Sequence, residues 1–544
     1  MAAKDVENAG ATKLGGRAAW YALFLVTLTT AMSMVDRQIL AILAPQIKAD
    51  LNIGDAEMGV LYGAVFGLFY SVFSLPLGRL ADGWVRTRLL SISIFGWSIM
   101  TGLAGFANGF GMLALSRLGV GIGEASSQPA GMSLLSDLFP KSQRGTITAA
   151  MSIAVALGVG GALMLGGAVA DGWDGAYANG GAPLGLKGWQ AAFLVAAAPG
   201  IVLSLLLLRL PEPVRGAADG VLAKPDPAPF RASFDTLIGM LPGFAWLEFV
   251  RRKATPKLWA INITAAVVII TLSIFMTQWT NGLRPVNPVA LRLGALELTG
   301  NALQWAITGV GAYIVICWMQ SLYLRDKPAF AVIVKQPSLA LLIGIASLQS
   351  VLNYGVMSWA AVYGIQHFNR SAAEIGATFG PIITVLGIIG PLIAGPVSDW
   401  AHQRIKGGRI YVTLLALGVS PFLAIGVFNA QTLGGYYAWF VIYSLVLTMW
   451  LPPVYASLID LVLPRMRGMV MSYYILMMTI TGMGLGPYAV GMMSDINGGN
   501  LGEAILTLYW VAPIIVVLIV LLIRRMPKDE VILLERAKAA GEPV

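Results

Sequence analysis

The chain has 544 residues, of which 57% are hydrophobic and only 12% charged, with a mean hydropathy of +0.75 and a formal net charge of +9. A soluble chain of this length keeps about a quarter of its residues charged, so that class is excluded. The basic residues lie in short loops between apolar blocks, which reads as membrane topology and excludes a nucleic-acid-binding face.

One cysteine, Cys317, and two histidines in or near loops, His367 and His402, leave neither an intrachain disulfide nor a His/Cys metal cluster. No metal and no cofactor is expected.

Residues 1–17 are polar and form a cytoplasmic N-terminal segment. The apolar block from Ala18 is too long for a cleavable signal and runs into Asp36-Arg37, not a small-residue cleavage site. Blocks of about 20 residues or more span a bilayer as helix. They predict spans near 18–47, 57–80, 87–107, 109–136, 145–170, 189–210, 257–278, 302–324, 337–363, 373–398, 409–429, 434–460, 468–493 and 502–524.

Placing the N-terminus inside puts Arg79, Arg86, Arg88, Lys141, Arg144, Arg251, Arg252 and Lys253 on the inner side. Arg325, Lys327, Lys335, Arg404, Lys406, Arg409, Arg465, Arg467, Arg524 and Arg525 join them. The outer loops hold only Lys48, Lys187, Arg284, Arg292 and Arg370. Every inner loop obeys the positive-inside rule, with both termini cytoplasmic, as for a protein of the bacterial inner membrane. Omitting both 257–278 and 302–324 would preserve this parity; their length and lack of charge favour spanning.

The first span carries Asp36-Arg37-Gln38. Helix neighbours differ by about 100°, so the two charges cannot serve one partner equally, and one of them can face the fourth span. The second inner loop is Gly78-Arg79-Leu80-Ala81-Asp82-Gly83-Trp84-Val85-Arg86-Thr87-Arg88. Gly78 would permit close helix approach, and Asp82 would cap or salt-bridge at the inner face. The fourth span carries Arg117 and Glu124, nearly two turns and about 10 Å apart on one face. Each therefore needs another partner. Charges at mid-membrane cost on the order of 2–3 kcal/mol each, which makes them candidates for function.

Residues 211–256 read as a linker, a tether opening on Pro211-Glu212-Pro213 and containing Lys224-Pro225-Asp226-Pro227. Within it, 234–250 is expected to be one interfacial helix, with Phe244, Trp246 and Phe249 beside Arg251-Arg252-Lys253. The later spans carry almost no charge. They offer Asn353, Tyr354, Trp359, Tyr443, Trp450, Tyr455, Tyr473 and Tyr474, either as cavity lining or as interfacial aromatics.

The chain repeats itself. At an offset of 317, Ala56-Glu57-x-Gly59-x-x-x-Gly63 meets Ala373-Glu374-x-Gly376-x-x-x-Gly380, and Gly78-x-x-x-Asp82 meets Gly395-x-x-x-Asp399. At a slightly larger offset, Asp137 to Pro140 and Arg144-Gly145 answer Asp460 to Pro464 and Arg467-Gly468. A Gly-rich span ending at Asp171 or Asp495 follows each. Both copies share one membrane side, so the halves are parallel repeats. The glycine ladders Gly59/Gly63/Gly67 and Gly482/Gly484/Gly486-Pro487 read as helix-packing surfaces. The chain divides into 1–17, a six-helix bundle 18–210, an insert 211–336 with two extra helices, a second six-helix bundle 337–526, and a cytoplasmic tail 527–544.

The second inner loop resembles the signature of the major facilitator superfamily, departing from it at Gly83 and Val85. Asp36-Arg37, Arg117-x6-Glu124-Ala125 and Ser136-Asp137-Leu138-Phe139-Pro140 resemble its spinster branch. The resemblance implies an all-α membrane fold of two six-helix bundles related by a pseudo-two-fold axis along the membrane normal. It implies proton-coupling roles for Asp36 and Glu124, with Arg37 and Arg117 as charge partners or contacts for a substrate anion. It implies a gating role for the loop of Gly78, Asp82 and Arg86, with Asp399 as its counterpart. It does not cover 211–336.

The function expected is secondary active transport by alternating access, driven by protons and acting as a monomer among membrane lipids. The expected substrate is an amphiphilic or aromatic organic anion or a lipid-like molecule. A non-transporting receptor with the same fold is the alternative. A membrane-embedded lipid enzyme would need a nucleophile–base constellation or a metal, and neither motif appears.

Overall fold

The computed structural model describes residues 14–216, 218, 226–284 and 286–542. Most of the polar N-terminal segment, Lys224-Pro225 of the linker and the last two residues of the tail lie outside them.

In chain order the helices are α1 (Arg17–Leu51), α2 (Asp55–Gly83), α3 (Arg86–Ala104), α4 (Phe110–Glu124), α5 (Ser127–Leu138), α6 (Arg144–Ala176) and α7 (Gly188–Leu208). The insert holds α8 (Pro229–Met240), α9 (Ala245–Arg251), α10 (Pro256–Leu283), α11 (Gly300–Arg325) and α12 (Lys327–Ile333). Then come α13 (Pro337–His367), α14 (Ala372–Arg404), α15 (Gly408–Phe428), α16 (Leu433–Asp460), α17 (Pro464–Ile496), α18 (Leu501–Val531) and α19 (Leu533–Ala539). Loop side chains start several of them: Thr299, Asp326, Thr432 and Asn500 each accept a hydrogen bond from a backbone amide of the first turn.

Twelve helices among the described residues are long and apolar enough to cross a membrane. Both extra helices of the insert, α10 and α11, are among them. The other two expected spans lie at α3 and at α4 with α5. Helix α3 has 19 residues, begins on Arg86 and Arg88, buries Ser91, Ser93 and Ser98, and leaves Ile92, Phe95 and Ile99 exposed. The expected span 109–136 is broken: α4 stops at Glu124, and α5 restarts at Ser127 with Pro129 in its first turn. Proline is tolerated there because first-turn amides have no intrahelical acceptor.

The interfacial helix expected at 234–250 is two helices, because Pro242 and Gly243, the latter at φ +81°, interrupt it. Phe249 is buried edge-on against Trp259, while Phe244 and Trp246 are exposed. A short antiparallel hairpin, β1 (Val289–Leu293) with β2 (Leu296–Thr299), joins α10 to α11, a small departure from an all-α chain. In α10 only 11% of the apolar window is buried, so most of its side chains point away from protein. Its one deeply buried polar side chain near the N-terminal end, Asn262, accepts from Trp246 and Tyr313 (both 2.7 Å) and donates to Gln320 on α11 (2.7 Å).

The chain forms two compact units that are not its two sequence halves. The first comprises the chain through Gln46, Phe69–Leu237 and Ser371–Thr384; the second comprises Ile47–Leu68, Ile238–Arg370 and Val385 onward. Inside each unit the repeated glycine motif packs backbone on backbone. In the second, a Cβ on Gly63 would strike the Met483 carbonyl oxygen, and one on Gly59 would lie 2.5 Å from Tyr488 Cα. The contact lies where α2 and α17 each carry one π-helical stretch, Val60–Ala64 and Thr479–Met483. In the first unit, Gly376 and Gly380 press in the same way on the carbonyls of Leu163 and Gly160. Backbones approach this closely only without a Cβ between them.

Candidate functional site

The first unit gathers the four mid-membrane charges. Arg37 Nε donates to Glu124 Oε2 at 2.6 Å, and its guanidinium lies 4.4 Å above the Tyr70 ring. Arg117 Nη1 donates to the backbone carbonyl of Asp36 at 2.7 Å. Asp36, Arg117 and Glu124 are each 2% exposed or less. The Asp36 carboxyl faces Trp97 and Thr101 of α3, with Arg117 and Glu124 as its charged neighbours. One oxygen of each carboxyl, Asp36 Oδ1 and Glu124 Oε1, has no hydrogen-bond partner among the described residues.

The helix geometry thus resolves the choice left open by the sequence. Arg37 turns its side chain to the fourth helix, and Asp36 meets that helix through its main chain. Arginine stays charged, so only the two carboxyls can change the charge of the cluster.

The segment from Gly78 to Arg88 is built around Arg86. It is 1% exposed and donates to Asp137 (2.5 Å), to Glu212 (2.7 Å), and to the Ser133 carbonyl and hydroxyl (2.9 and 3.0 Å). The second half repeats the pair at the surface: Arg409 binds Asp460 and, at 3.0 Å, Asp399. Arg86 and Arg409 stand at the same offset as Asp137 and Asp460, a correspondence legible in the sequence.

Asp82 is exposed; Arg215 binds its backbone carbonyl at 2.5 Å and is also favoured by the charge of its carboxylate. One expectation for this loop is corrected. A Cβ on Gly78 would sit 3.7 Å from Pro129, an ordinary contact, so no close approach depends on that glycine.

The linker is more than a tether. Glu212 accepts from Arg86 and from the Thr87 amide (3.0 Å). Arg215 gathers the carbonyls of Ala81 (2.6 Å), Asp82 and Trp84 at the end of α2, and the Gly216 amide donates to Asp137 at 3.0 Å. Burial works against the Arg215 charge, and with Arg86 nearby holds its pKa below the usual value. No sequence periodicity marked these residues. Charged side chains next to the inner loop were the available signal.

At the opposite end of the helices, two aspartates close the Gly-rich spans. Asp171 accepts from the Ala373 amide at 2.6 Å, at the start of α14, inside the first unit. Asp495 accepts from the Asp55 and Ala56 amides at 2.9 Å each, at the start of α2, inside the second. Carboxylates suit these positions because helix N-termini carry unpaired amides and partial positive charge. In the second unit the insert adds a cation: Arg284 grips Glu57 with two hydrogen bonds of 2.7 and 2.9 Å and forms an ion pair with Asp495 at 2.7 Å. Desolvation disfavours its charge, but the two carboxylates outweigh this and hold its pKa above the usual value. The sequence reading had Arg284 only as an outer-loop charge. Helix α11 joins the same packing, with Gln304 donating to the Gly484 carbonyl (2.8 Å) and Tyr488 to Asn301 (2.9 Å).

Of the candidate lining residues, Asn353 and Tyr354 are half-buried. Trp359 is fully buried, donates to the Pro487 carbonyl at 2.9 Å and meets Tyr62 edge-on. Tyr443 is fully buried with its hydroxyl 2.6 Å from that of Tyr509. Tyr473 stacks on Trp318 of α11, with ring centroids 5.0 Å apart. In this arrangement Trp359, Tyr443 and Tyr473 are packing residues of the second unit.

The Major Facilitator Superfamily profile matches residues 26–487, well over half of the chain. An MFS-type efflux pump of Mycolicibacterium smegmatis is 24% identical over 502 residues, covering 92% of this chain and 90% of the relative. A probable L-galactonate transporter of Escherichia coli is 26% identical over 417 residues, covering 70% and 83%. A crystal structure of a bacterial homologue of the human lysosomal transporter Spinster, inward-facing and unoccupied, shares the fold with a TM-score of 0.63. It is 21% identical, and the match covers 96% of both chains. The chain belongs to the major facilitator superfamily and is an integral multi-pass membrane protein of that fold.

Proposed function

We propose that this superfamily member is a secondary active transporter in which protons and an organic anion, amphiphilic or aromatic, move together through the cluster of Asp36, Arg37, Arg117 and Glu124. The observation that carries this reading is the buried Arg37–Glu124 pair, with Arg117 held at the Asp36 carbonyl beside it.

With both carboxyls ionised the cluster is neutral. A proton on Glu124 or Asp36 leaves one unit of positive charge in a site of low dielectric, where an unpaired charge is costly. An anion restores neutrality by taking the hydrogen bonds that Glu124 gives up. Proton and anion each favour the binding of the other, and a carrier that reorients only when neutral moves both. The two curated relatives are named as an efflux pump and a probable sugar-acid transporter, which supports carriage of small organic molecules, anionic in the second case.

The frame of the proposal has cytoplasmic termini in a bacterial inner membrane, alternating access by a monomer, and six-helix bundles at 18–210 and 337–526. The basic loops support the orientation. Arg86, with Asp137 and Glu212, forms the inner gate in this reading. On the opposite side Asp171 and Asp495 each hold a helix N-terminus within its own unit.

The test is a thermal-shift screen of the purified protein at two pH values with lysolipids, bile-acid-like amphiphiles and aromatic acids, followed by flux in proteoliposomes. Stabilisation by an anion that strengthens at lower pH is expected. Anion binding indifferent to pH, or flux without a pH gradient effect, would overturn the coupling.

A further inference from the structure

The insert carries a groove of about 520 Å³ that the transport reading does not use, walled by the inner ends of α10 and α11 and by α12. Its size falls in the ~300–1,000 Å³ range of small-molecule sites. Ile261, Ala265 and Ile316 form an apolar floor, and Phe330 and Tyr323 meet edge-on at one wall.

The rim is different in character. Lys257 and Lys335 both line the groove, both are exposed, and neither makes an ion pair among the described residues. Their basic neighbours are matched: Arg325 and Arg252 bind Glu248, and Arg465 binds Asp326. Arg251 and Lys253, also exposed, precede Lys257 closely in the chain. The groove opens beside the first turn of α10, the positive end of that helix's dipole. It lies at the end of α10 and α11 that carries the clustered basic residues, and α10 buries only 11% of its apolar window.

A site apolar below and cationic at its rim, on a helix that faces away from protein, matches a lipid with a negative headgroup. Basic pockets between membrane helices on the cytoplasmic side bind such headgroups. We propose that the insert holds an anionic phospholipid of the inner leaflet, its phosphate between Lys257 and Lys335 and its acyl chain along Ile261, Ala265 and Ile316. This gives the two extra helices a binding site of their own, separate from the Asp36–Glu124 cluster.

The test is native mass spectrometry of the full-length, delipidated protein in detergent, titrated with phosphatidylglycerol or phosphatidylcholine. Wild type should bind one phosphatidylglycerol well above its affinity for phosphatidylcholine. Each lysine contributes roughly fivefold, so Lys257→Gln with Lys335→Gln should weaken phosphatidylglycerol about 30-fold and leave phosphatidylcholine unchanged. Ala265→Trp, which fills the floor, should weaken it without touching a charge, and serves if the double variant is not monodisperse. Glycerol 3-phosphate at equal concentration should not compete. Equal binding of the two lipids, an unaltered double variant, or full competition by glycerol 3-phosphate would overturn the proposal.

Discussion

Replacing Arg284 with alanine probes the grip of the insert on the start of α2 and the end of α17. Arg284 is 6% exposed and Glu57 0%; two hydrogen bonds join the arginine to Glu57, and an ion pair joins it to Asp495. Removing one partner of a buried ion pair costs about 3–5 kcal/mol, because the other charge stays buried. The low end applies here. The Gly54 amide still donates to Glu57 (3.1 Å), and the Asp55 and Ala56 amides still hold Asp495. A cost of about 3 kcal/mol shifts the equilibrium for separating 55–68 from 479–491 roughly a hundredfold.

The assay is labelling by an impermeant maleimide at Ser494→Cys in a Cys317→Ala background. Ser494 is fully buried beside Asp55, so its labelling reports that separation. Arg284→Ala should accelerate labelling about a hundredfold. Arg284→Lys, which keeps the charge but loses the two-pronged fork, should fall between. A rate for the alanine variant within twofold of its parent would refute the reasoning.

The other outcomes follow from burial and charge. Arg86→Ala, which strands Asp137 and Glu212, should cost about 3–5 kcal/mol. Its surface counterpart Arg409→Ala should cost at most about 1 kcal/mol; thermal unfolding in detergent ranks them. Glu248 is half-buried, and although burial opposes its charge, bonds from Arg325, Ser321 and Arg252 hold its pKa below the ordinary carboxylate value. Its folded pKa is the lower one, so its stabilisation is complete above the unfolded value near 4.5 and lost as pH falls through the folded value. Glu248→Gln should therefore lower the melting temperature at pH 7, and the gap to wild type should narrow as pH falls below 4.5 and through the lower folded value.

Much of the fold is legible in the sequence because membrane spans and a parallel repeat leave long-period signals. The repeat aligns Gly59 and Gly63 with Gly376 and Gly380, and those glycines bring helix backbones into close contact in both units. It also aligns Asp137 with Asp460, each bound to an arginine at the same offset. The four buried charges stand out because charge in a span is costly. Their pairing does not, since Asp36 and Arg37 differ only by the rotation of one residue, and packing decides which side chain faces Glu124. The Arg284–Glu57 pair spans 227 positions and joins a repeated helix to an unrepeated insert, so no period announces it. The break before Ser127 was signalled by Pro129, which hydrophobic periodicity passes over.

The account's central claim is that Asp36 and Glu124 couple protons to an anion. Its most direct test is internal pH in proteoliposomes, read by an entrapped dye as a stabilising anion is added outside. Wild type should acidify the lumen as the anion enters, while Asp36→Asn and Glu124→Gln, still folded and monodisperse, should not. Acidification by both variants at the wild-type rate, or anion entry in wild type without any proton movement, would contradict it.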